Sequence, residues 1–210
     1  MHRLANAVSF IVTGRHMLHE KFTMLLLGEA PACLDMLAGV LTAQGHTVGA
    51  RITATSDLHS EVERSRPDLV IACLDAPGRA TLEALQAITR RWPLPIVMFT
   101  HDSDAATIEL AIKCGVTAYI VDGLSPERIL PVLDVATARF REYRLLHDEL
   151  ELTRMQLAER KLIDKAKGLL MKKGMDEAQA YYRLRKMAMD RNVRIAELAR
   201  SLIAAAELMD

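Results

Sequence analysis

Four residues near the C-terminus combine residue types with a spacing that suits phosphate binding. They recur every three or four positions, so a helix places them on one side as a lysine stripe: Lys161, Lys165, Gly168 and Lys172. Lysine ammonium groups attract phosphate oxygens, and the glycine lets a phosphate approach the helix backbone closely. The pattern is typical either of a phosphate-binding surface or of an ordinary solvated helix, and these residues alone leave both interpretations open.

Three amphipathic segments position this stripe within a small predicted helical bundle. The first segment contains the stripe and is predicted to end at Gly174. The second begins at Asp176, whose spacing from Gln179 is typical of a capping box. The third keeps apolar residues at helical spacing for about three turns. Side chains that are predicted to point outward from the second segment are Tyr182, Arg183 and Lys186, with Arg185 on the flank.

Short sequence runs in all three segments resemble a known family. These runs are AKGLLM at 166–171, EA at 177–178, AY at 180–181, LR at 184–185 and AM at 188–189. They resemble the ANTAR domain, a three-helix RNA-binding module of bacterial transcription antiterminators. The resemblance covers about the last fifty residues and implies that RNA contacts this region. The implied RNA-binding residues are Lys161, Lys165, Lys167, Gly168, Lys172, Tyr182, Arg185 and Lys186.

From residue 22 the chain alternates short apolar strands with helices. Five strands are predicted as continuous apolar runs, which suit a parallel sheet covered on both faces: 22–27, 46–52, 69–74, 95–99 and 118–121. Helices are predicted between them at 31–44, 58–66, 79–91 and 105–114. This alternation is typical of a doubly wound α/β domain, here with the flavodoxin-like strand order 2-1-3-4-5.

The ends of these strands, where functional groups gather in such a sheet, resemble a response-regulator receiver domain. Receivers hold magnesium with an acidic pair after the first strand and carry a phosphate-accepting aspartate at the end of the third. A Thr or Ser follows their fourth strand, and a lysine follows their fifth. The corresponding residues here are Glu29 (after Gly28), Cys73, Thr100 and Asp122.

These replacements argue against phosphorylation of the receiver-like domain. Magnesium prefers oxygen ligands, so the sulfur of Cys73 is a poor substitute for a carboxylate. Asp122 adds negative charge where a phosphoryl group needs a cation. Two alternatives stay open: Asp75 as a displaced acceptor, and Cys73 as a redox sensor instead of a buried, unreactive cysteine.

The overall composition argues against several classes of protein. Three scattered cysteines without a CxxC spacing predict a reducing cytoplasm and no disulfide, and with the seven histidines they form no metal-ligand pattern. We expect no cofactor and no enzymatic activity, since the sequence has no nucleophile–base pair or phosphate loop. No apolar run approaches the ~20 residues of a membrane span. The formal net charge is zero, but residues 158–210 hold 12 Lys/Arg against 8 Asp/Glu, so this end is basic.

One long helix is predicted to join the two regions. It begins at Pro126, and the following residues 127–167 contain one proline, Pro131, and no glycine before 168, so the helix extends for about forty residues. Beyond about Tyr143 this helix is too long to pack on the receiver-like domain. Its apolar residues are spaced mostly three and four apart, which predicts a homodimeric coiled coil through Phe140, Tyr143, Leu146, Leu150 and Leu157.

The predicted parts are a poorly ordered extension (1–21) with no assigned function, a receiver-like domain (22–125), a coiled-coil linker (126–157) and an RNA-binding domain (158–210). Their order, and the stretch 74–140, resemble the nitrate-assimilation antiterminators among ANTAR proteins. That resemblance implies a regulator that binds leader-mRNA hairpins of nitrate and nitrite operons. It also implies control by a nitrate-sensing partner protein. Members of this group often keep an aspartate where Cys73 stands, so the departure argues further against phosphorylation.

Two other functions stay open from the sequence. A DNA-binding response regulator controlled by phosphorylation or redox chemistry needs a recognition helix with polar side chains. The last helix is instead composed almost entirely of Ala, Leu, Ile and Glu, which does not suit a major groove. The second is a protein-interaction adaptor, in which the lysine stripe is only a solvated helix surface. Salt-dependent binding to a structured RNA would support an antiterminator and not an adaptor.

Overall fold

A computed structural model of the protein describes residues 21–53 and 57–207. The chain forms two compact units, which divide between Glu142 and Tyr143. The predicted poorly ordered extension lies outside the described residues, apart from Lys21. None of the described helices combines the length and the apolar character that a membrane span requires.

The first unit is built on a five-stranded parallel sheet. Its strands are short apolar runs: β1 (Thr23–Gly28), β2 (Thr47–Ile52), β3 (Leu69–Cys73), β4 (Ile96–Thr100) and β5 (Ala118–Val121). They lie in the order β2-β1-β3-β4-β5, and every neighbouring pair is parallel. This confirms the predicted flavodoxin-like fold. Because parallel strands end at the same edge, the candidate receiver residues are carried to one edge of the sheet.

Helices cover both faces of this sheet. They are α1 (Pro31–Ala43), α2 (Leu58–Ser65), α3 (Arg79–Arg91), α4 (Ala105–Lys113) and the first part of α5 (Pro126–Met171). Alternate residues along a strand point to opposite faces, so Leu25 and Leu26 of β1 belong to different hydrophobic cores. Helices α2, α3 and α4 contribute to the first core. Helix α1 and the start of α5 pack together in the second, with Leu37 and Ile129 fully buried.

Helix α5 is 46 residues long and continues from the first unit into the second. Pro126 stands at its first position, where the missing N–H costs no internal hydrogen bond. Pro131 lies inside the helix but close to its start, where it removes one backbone donor. The predicted long helix is confirmed through Lys161, Lys165 and Gly168, and it ends at Met171, so Lys172 of the lysine stripe lies in the turn that follows.

The second unit contains the rest of α5 together with α6 (Glu177–Asp190) and α7 (Ile195–Glu207). Its core includes Ala166, Leu184 and Ala199, which come from the three different helices. The predicted capping box is confirmed, because Asp176 and Gln179 each accept a hydrogen bond from the other's backbone N–H. A small three-helix bundle is therefore the structure of this end of the chain.

Candidate functional site

The carboxyl edge of the sheet brings together the four positions that correspond to a receiver site. Glu29 is exposed immediately after β1, and Cys73 is the last residue of β3. Thr100 ends β4 with only 4% of its surface exposed. Asp122 follows β5 directly. These four positions are the ones that carry the functional residues of a receiver. The chemistry that this edge of the sheet can support depends on the contacts that each side chain makes.

Cys73 is bonded to another cysteine. Its Sγ forms a disulfide with Cys33 in the first turn of α1, and the Cα atoms of the two residues are 6.9 Å apart. Both side chains are half-buried. The expectation of no disulfide is therefore wrong, and Cys73 is neither fully buried nor a free thiol. The contact escapes sequence analysis because the cysteines are separated by 40 positions and meet only through the packing of α1 beside β3.

The hydroxyl group of Thr100 is engaged by the neighbouring loops. It donates a hydrogen bond of 2.8 Å to the carbonyl oxygen of Asp75 and accepts one of 3.1 Å from the backbone N–H of Asp102. The N–H of His101 donates to the same Asp75 carbonyl at 3.2 Å. Thr100 thus holds the segments after β3 and β4 together.

Asp122 occupies the position of the receiver lysine and contacts a histidine. Its Oδ1 atom lies 2.6 Å from Nδ1 of His101, and both side chains are exposed. The hydrogen bond that His101 makes to the Asp122 carboxylate, and then the charge of Asp122, raise the pKa of His101, with a smaller contribution from the charge of Asp75. The edge therefore carries a carboxylate–histidine pair where a phosphoryl group needs a lysine.

The receiver family implies a magnesium ion, and the residues at this edge do not fit one. Magnesium requires hard oxygen ligands in near-octahedral geometry. Glu29 lacks an acidic neighbour because position 28 is glycine, and position 73 presents disulfide sulfur where a receiver has a carboxylate. In the described ranges, no group of three or more His, Cys, Asp or Glu side chains is arranged to hold a metal ion.

We expect the protein not to accept phosphate from acetyl phosphate, because this edge lacks both the acceptor carboxylate and the magnesium ligands. Intact-mass measurement after incubation with acetyl phosphate and magnesium should show no added phosphoryl group. A receiver that keeps its aspartate serves as the positive control. A stable gain of one phosphoryl group that disappears in Asp75→Asn would contradict the prediction and identify Asp75 as the acceptor.

In the second unit, the lysine stripe and Lys167 lie on different sides of α5. Residues two positions apart on a helix point about 200° apart, so Lys165 and Lys167 do not form one contact surface. Lys165 pairs with Glu207 of α7 at 2.7 Å. Lys167 pairs with Asp164 and with Glu177 at the start of α6, both at 2.8 Å. An RNA contact through Lys167 stays a prediction, and its ion pairs indicate that it also ties α5 to α6.

A groove beside Lys167 contains residues that sequence analysis did not single out. It has a volume of about 390 Å³ and is lined by Gln156, Glu159, Arg160, Ile163, Asp164, Lys167 and Tyr181. The hydrogen bonds that Lys167 donates to Asp164 and then to Glu177 raise its pKa, and its side chain is only 16% exposed. Tyr181 is part of the AY run at 180–181, but the run does not show that its ring borders a groove.

The outer face of α6 carries an exposed aromatic ring among cations. Ala180, Leu184 and Ala188 face the core, so residues on the opposite side point to solvent. Tyr182 is 68% exposed, and both Arg185 and Lys186 are exposed one turn further along the helix. A flat ring beside two cations can stack on a nucleobase while the cations contact the phosphates.

The predicted coiled-coil seam is exposed along most of its length. Phe140 is half-buried, but Tyr143, Leu146, Leu150 and Leu157 are each between 47% and 63% exposed. From Tyr143 onward the seam, which includes Thr153, follows alternating steps of three and four residues. Leu145, Leu152 and Met155 are also exposed but lie on the other side of the helix.

Comparison with known proteins identifies both parts of the chain. Residues 24–134 match the response regulator receiver domain, and residues 151–203 match the ANTAR domain. The transcriptional regulatory protein PdtaR of Mycobacterium tuberculosis is 32% identical over 177 residues, which are 83% of this chain and 86% of PdtaR. The nitrate regulatory protein of Klebsiella oxytoca is 45% identical over 73 residues, which are 34% of this chain and 18% of that protein.

Solved structures agree on the fold of the first unit. The signal receiver domain of a modulated diguanylate cyclase from Desulfovibrio desulfuricans superposes with a TM-score of 0.53 at 15% identity, covering 59% of this chain and 99% of that domain. NtrX from Brucella abortus gives a TM-score of 0.52 at 22% identity, covering 68% of this chain and 34% of NtrX. Because both regions match in the order receiver, then ANTAR, and PdtaR is similar over most of both chains, the protein belongs to the ANTAR-domain response regulators.

Proposed function

We propose that this protein is a transcription antiterminator that binds hairpins in leader mRNA through residues 158–210 of its second unit. The observation that carries the proposal is the outer face of α6, where Tyr182 is 68% exposed beside Arg185 and Lys186. Packing within the bundle does not account for this face, because the core of the unit lies on the opposite side of α6. Stacking on unpaired bases, with cations on the phosphates, is the usual way in which proteins recognise RNA loops.

The lysine stripe supplies a second contact in this proposal. Apart from its chain neighbours and the backbone of α5 itself, a Cβ atom at Gly168 would meet no atom within 4 Å, so packing against other elements does not require a glycine there. The helix nevertheless loses about 1 kcal/mol of propensity by having glycine in place of alanine. An RNA backbone that approaches α5 between Lys165 and Lys172 accounts for that loss.

Gly168→Ala is therefore expected to raise the free energy of unfolding by about 1 kcal/mol. The same change is expected to lower RNA affinity roughly fivefold or more, because the methyl group separates the helix from the phosphate. Urea unfolding and gel-shift titration measure the two quantities. Gly39→Ala is a matched control, since Gly39 is an equally unobstructed glycine in α1. Unchanged RNA affinity in Gly168→Ala would remove this position from the interface.

A second copy of the chain is the proposed occupant of the α5 seam. A seam with alternating three- and four-residue spacing matches the a and d positions of a two-stranded coiled coil. Its leucines and Tyr143 are about half exposed, and the ring of Tyr143 contacts His147 one turn further along the same helix. A dimer places two RNA-binding units on one molecule, which suits a leader with two hairpins.

Control by a partner protein, and not by phosphorylation, is the proposed regulation. Its support is the receiver edge, where a disulfide and Asp122 replace the acceptor and the lysine. Nitrate and nitrite assimilation genes are the proposed targets and a nitrate-sensing protein the proposed partner, on the strength of the similarity to the K. oxytoca nitrate regulatory protein. The proposed location is the cytoplasm, where nascent mRNA is available, and no enzymatic step is proposed.

A gel-shift experiment tests the proposal directly. The full-length protein is titrated with a leader RNA that carries two small hairpins, with the same RNA lacking one hairpin, and with a duplex DNA of matched sequence. We expect the paired-hairpin RNA to bind most tightly, with an affinity that falls as salt rises. Preferential binding to the duplex DNA would instead support a DNA-binding regulator, and binding to none of the three would support an adaptor.

A further inference from the structure

Two cysteines occupy the region where a receiver carries out its phosphate chemistry. Cys73 ends β3 at the position of the phosphoacceptor, and Cys33 lies in the first turn of α1. Both residues are half-buried and lie at the border of the second core, not inside it. The bond between them replaces a non-covalent contact between α1 and β3 with a covalent one.

Gly28 makes this close approach possible. It is paired with Cys73 across the sheet. A Cβ atom at position 28 would lie 2.8 Å from Cδ2 of Leu34 in α1 and 3.0 Å from the carbonyl oxygen of Cys73. The acidic side chain that a receiver carries at this position would press on both elements. Glycine at position 28 therefore leaves the room in which the start of α1 approaches the end of β3.

The same packing connects the disulfide to the start of α5. Both cysteines border the hydrophobic core that holds the buried side of α1. Leu34 and Leu37 of α1 share that core with Ile129 and Leu133 of α5. A covalent bond that restrains α1 therefore also affects the hydrophobic core against which the first turns of α5 pack.

We propose that Cys33 and Cys73 are a reversible thiol–disulfide modification site, oxidised by a hydroperoxide and reduced by a dithiol, and that the disulfide locks α1 onto the sheet. This site stands where phosphorylation acts in other receivers. The inference concerns the first unit and does not depend on RNA binding.

The oxidation proceeds in two steps. Cys33 lies in the first turn of a helix, where the positive end of the helix dipole favours an anionic thiolate, so its sulfur attacks the hydroperoxide. The O–O bond breaks, a sulfenic acid forms, and the leaving oxygen takes a proton to become water or an alcohol. The Cys73 thiolate then attacks the sulfenic sulfur, the S–S bond forms, and hydroxide leaves to become water. Two thiols lose two electrons and two protons, and a dithiol restores both by exchange.

Cys114 provides an internal reference for this chemistry. It is the free cysteine of the chain and is buried. Burial raises the pKa of its thiol, mainly by removing the thiolate from water. We therefore expect Cys114 to stay reduced at peroxide concentrations that oxidise the pair.

Thiol counting on the full-length protein is the first test. The reduced protein is treated with about one equivalent of hydrogen peroxide per pair, then denatured, alkylated with N-ethylmaleimide and weighed. Of the three cysteines, only Cys114 should be alkylated after oxidation, and all three after dithiothreitol treatment of the folded protein. Cys33→Ser and Cys73→Ser should each keep both remaining thiols reduced or stop at a sulfenic acid. Three alkylated thiols after oxidation, or a disulfide that dithiothreitol reduces only in the unfolded protein, would overturn the proposal.

Hydrogen exchange is the second test and needs no mutation. Wild-type protein is compared in its oxidised and reduced states, and peptides from α1 and from the start of α5 are followed. We expect exchange in α1 to be at least roughly tenfold slower in the oxidised protein, because the crosslink restricts local opening. Peptides around Cys114 and in α3 should exchange equally in both states. Identical exchange in α1 would show that the disulfide does not lock the helix.

Discussion

Tyr182→Ala should weaken binding of the paired-hairpin RNA by about 10- to 100-fold, the usual cost of removing one base–aromatic stack. The ring is 68% exposed, so its removal leaves no cavity and should change stability little. Tyr182→Phe keeps the flat ring and should bind nearly as wild type. Gel-shift titration at fixed salt measures the affinities, and wild-type affinity in Tyr182→Ala would exclude the outer face of α6 from the RNA contact.

The cations beside Tyr182 can be separated from the ring by their salt dependence. Arg185→Ala with Lys186→Ala should reduce the slope of log affinity against log salt by about 2, one for each lost phosphate contact. Arg191→Ala with Arg194→Ala removes the same charge from exposed positions in the turn between α6 and α7. That control should change the slope much less. Equal changes in both variants would mean that the whole basic surface attracts RNA and that α6 has no special role.

Leu146→Glu with Leu150→Glu should convert a dimer into monomers. Each leucine is about half exposed on α5 and becomes buried if two copies form a coiled coil, so four glutamates would then face one another across the seam. Burial of a leucine contributes about 1.5–3 kcal/mol, and the like charges add repulsion. Light scattering gives the mass directly. Avidity should make the dimer bind the two-hairpin RNA about 10²- to 10⁴-fold more tightly than the one-hairpin RNA. The monomer should lose this difference in affinity.

Leu145→Glu with Leu152→Glu is the matched control for the dimer interface. These leucines are as exposed as the seam residues but lie on the other side of α5. The control should remain dimeric. If the seam variant stays dimeric and the control becomes monomeric, the dimer interface contains Leu145 and Leu152, and our assignment of the interface to the seam is wrong.

Local patterns predict most of the secondary structure, because each boundary has a local cause. Gly174 adopts a φ of 89° in the turn that follows the end of α5 at Met171, and the Asp176 side chain begins α6 by accepting a hydrogen bond from the backbone N–H of Gln179. Helix α2 ends at Ser65, one residue before its predicted end, because Arg66 adopts the left-handed backbone conformation. The strand order also follows from the sequence, since the alternation of strands and helices leaves few topologies.

The contacts between elements are harder to predict from the sequence, and these contacts shape the sites. Periodicity places Lys165 and Lys167 on α5, but only the bundle shows that one faces Glu207 and the other Glu177. Tyr181 borders a groove because α6 packs beside the end of α5. The partner of Cys73 is equally hidden, since α1 and β3 are separated by β2 and α2 along the chain.

The disulfide also determines which fragments separate when a protease cuts the chain once. In the oxidised protein, the backbone from Cys33 to Cys73 closes into a ring that contains most of α1, all of β2 and α2, and β3. A single cut inside this ring opens it but releases no fragment, whereas a single cut beyond Cys73 separates the chain into two pieces. A nick between α1 and β3 therefore escapes detection on a non-reducing gel and appears only when the bond is reduced.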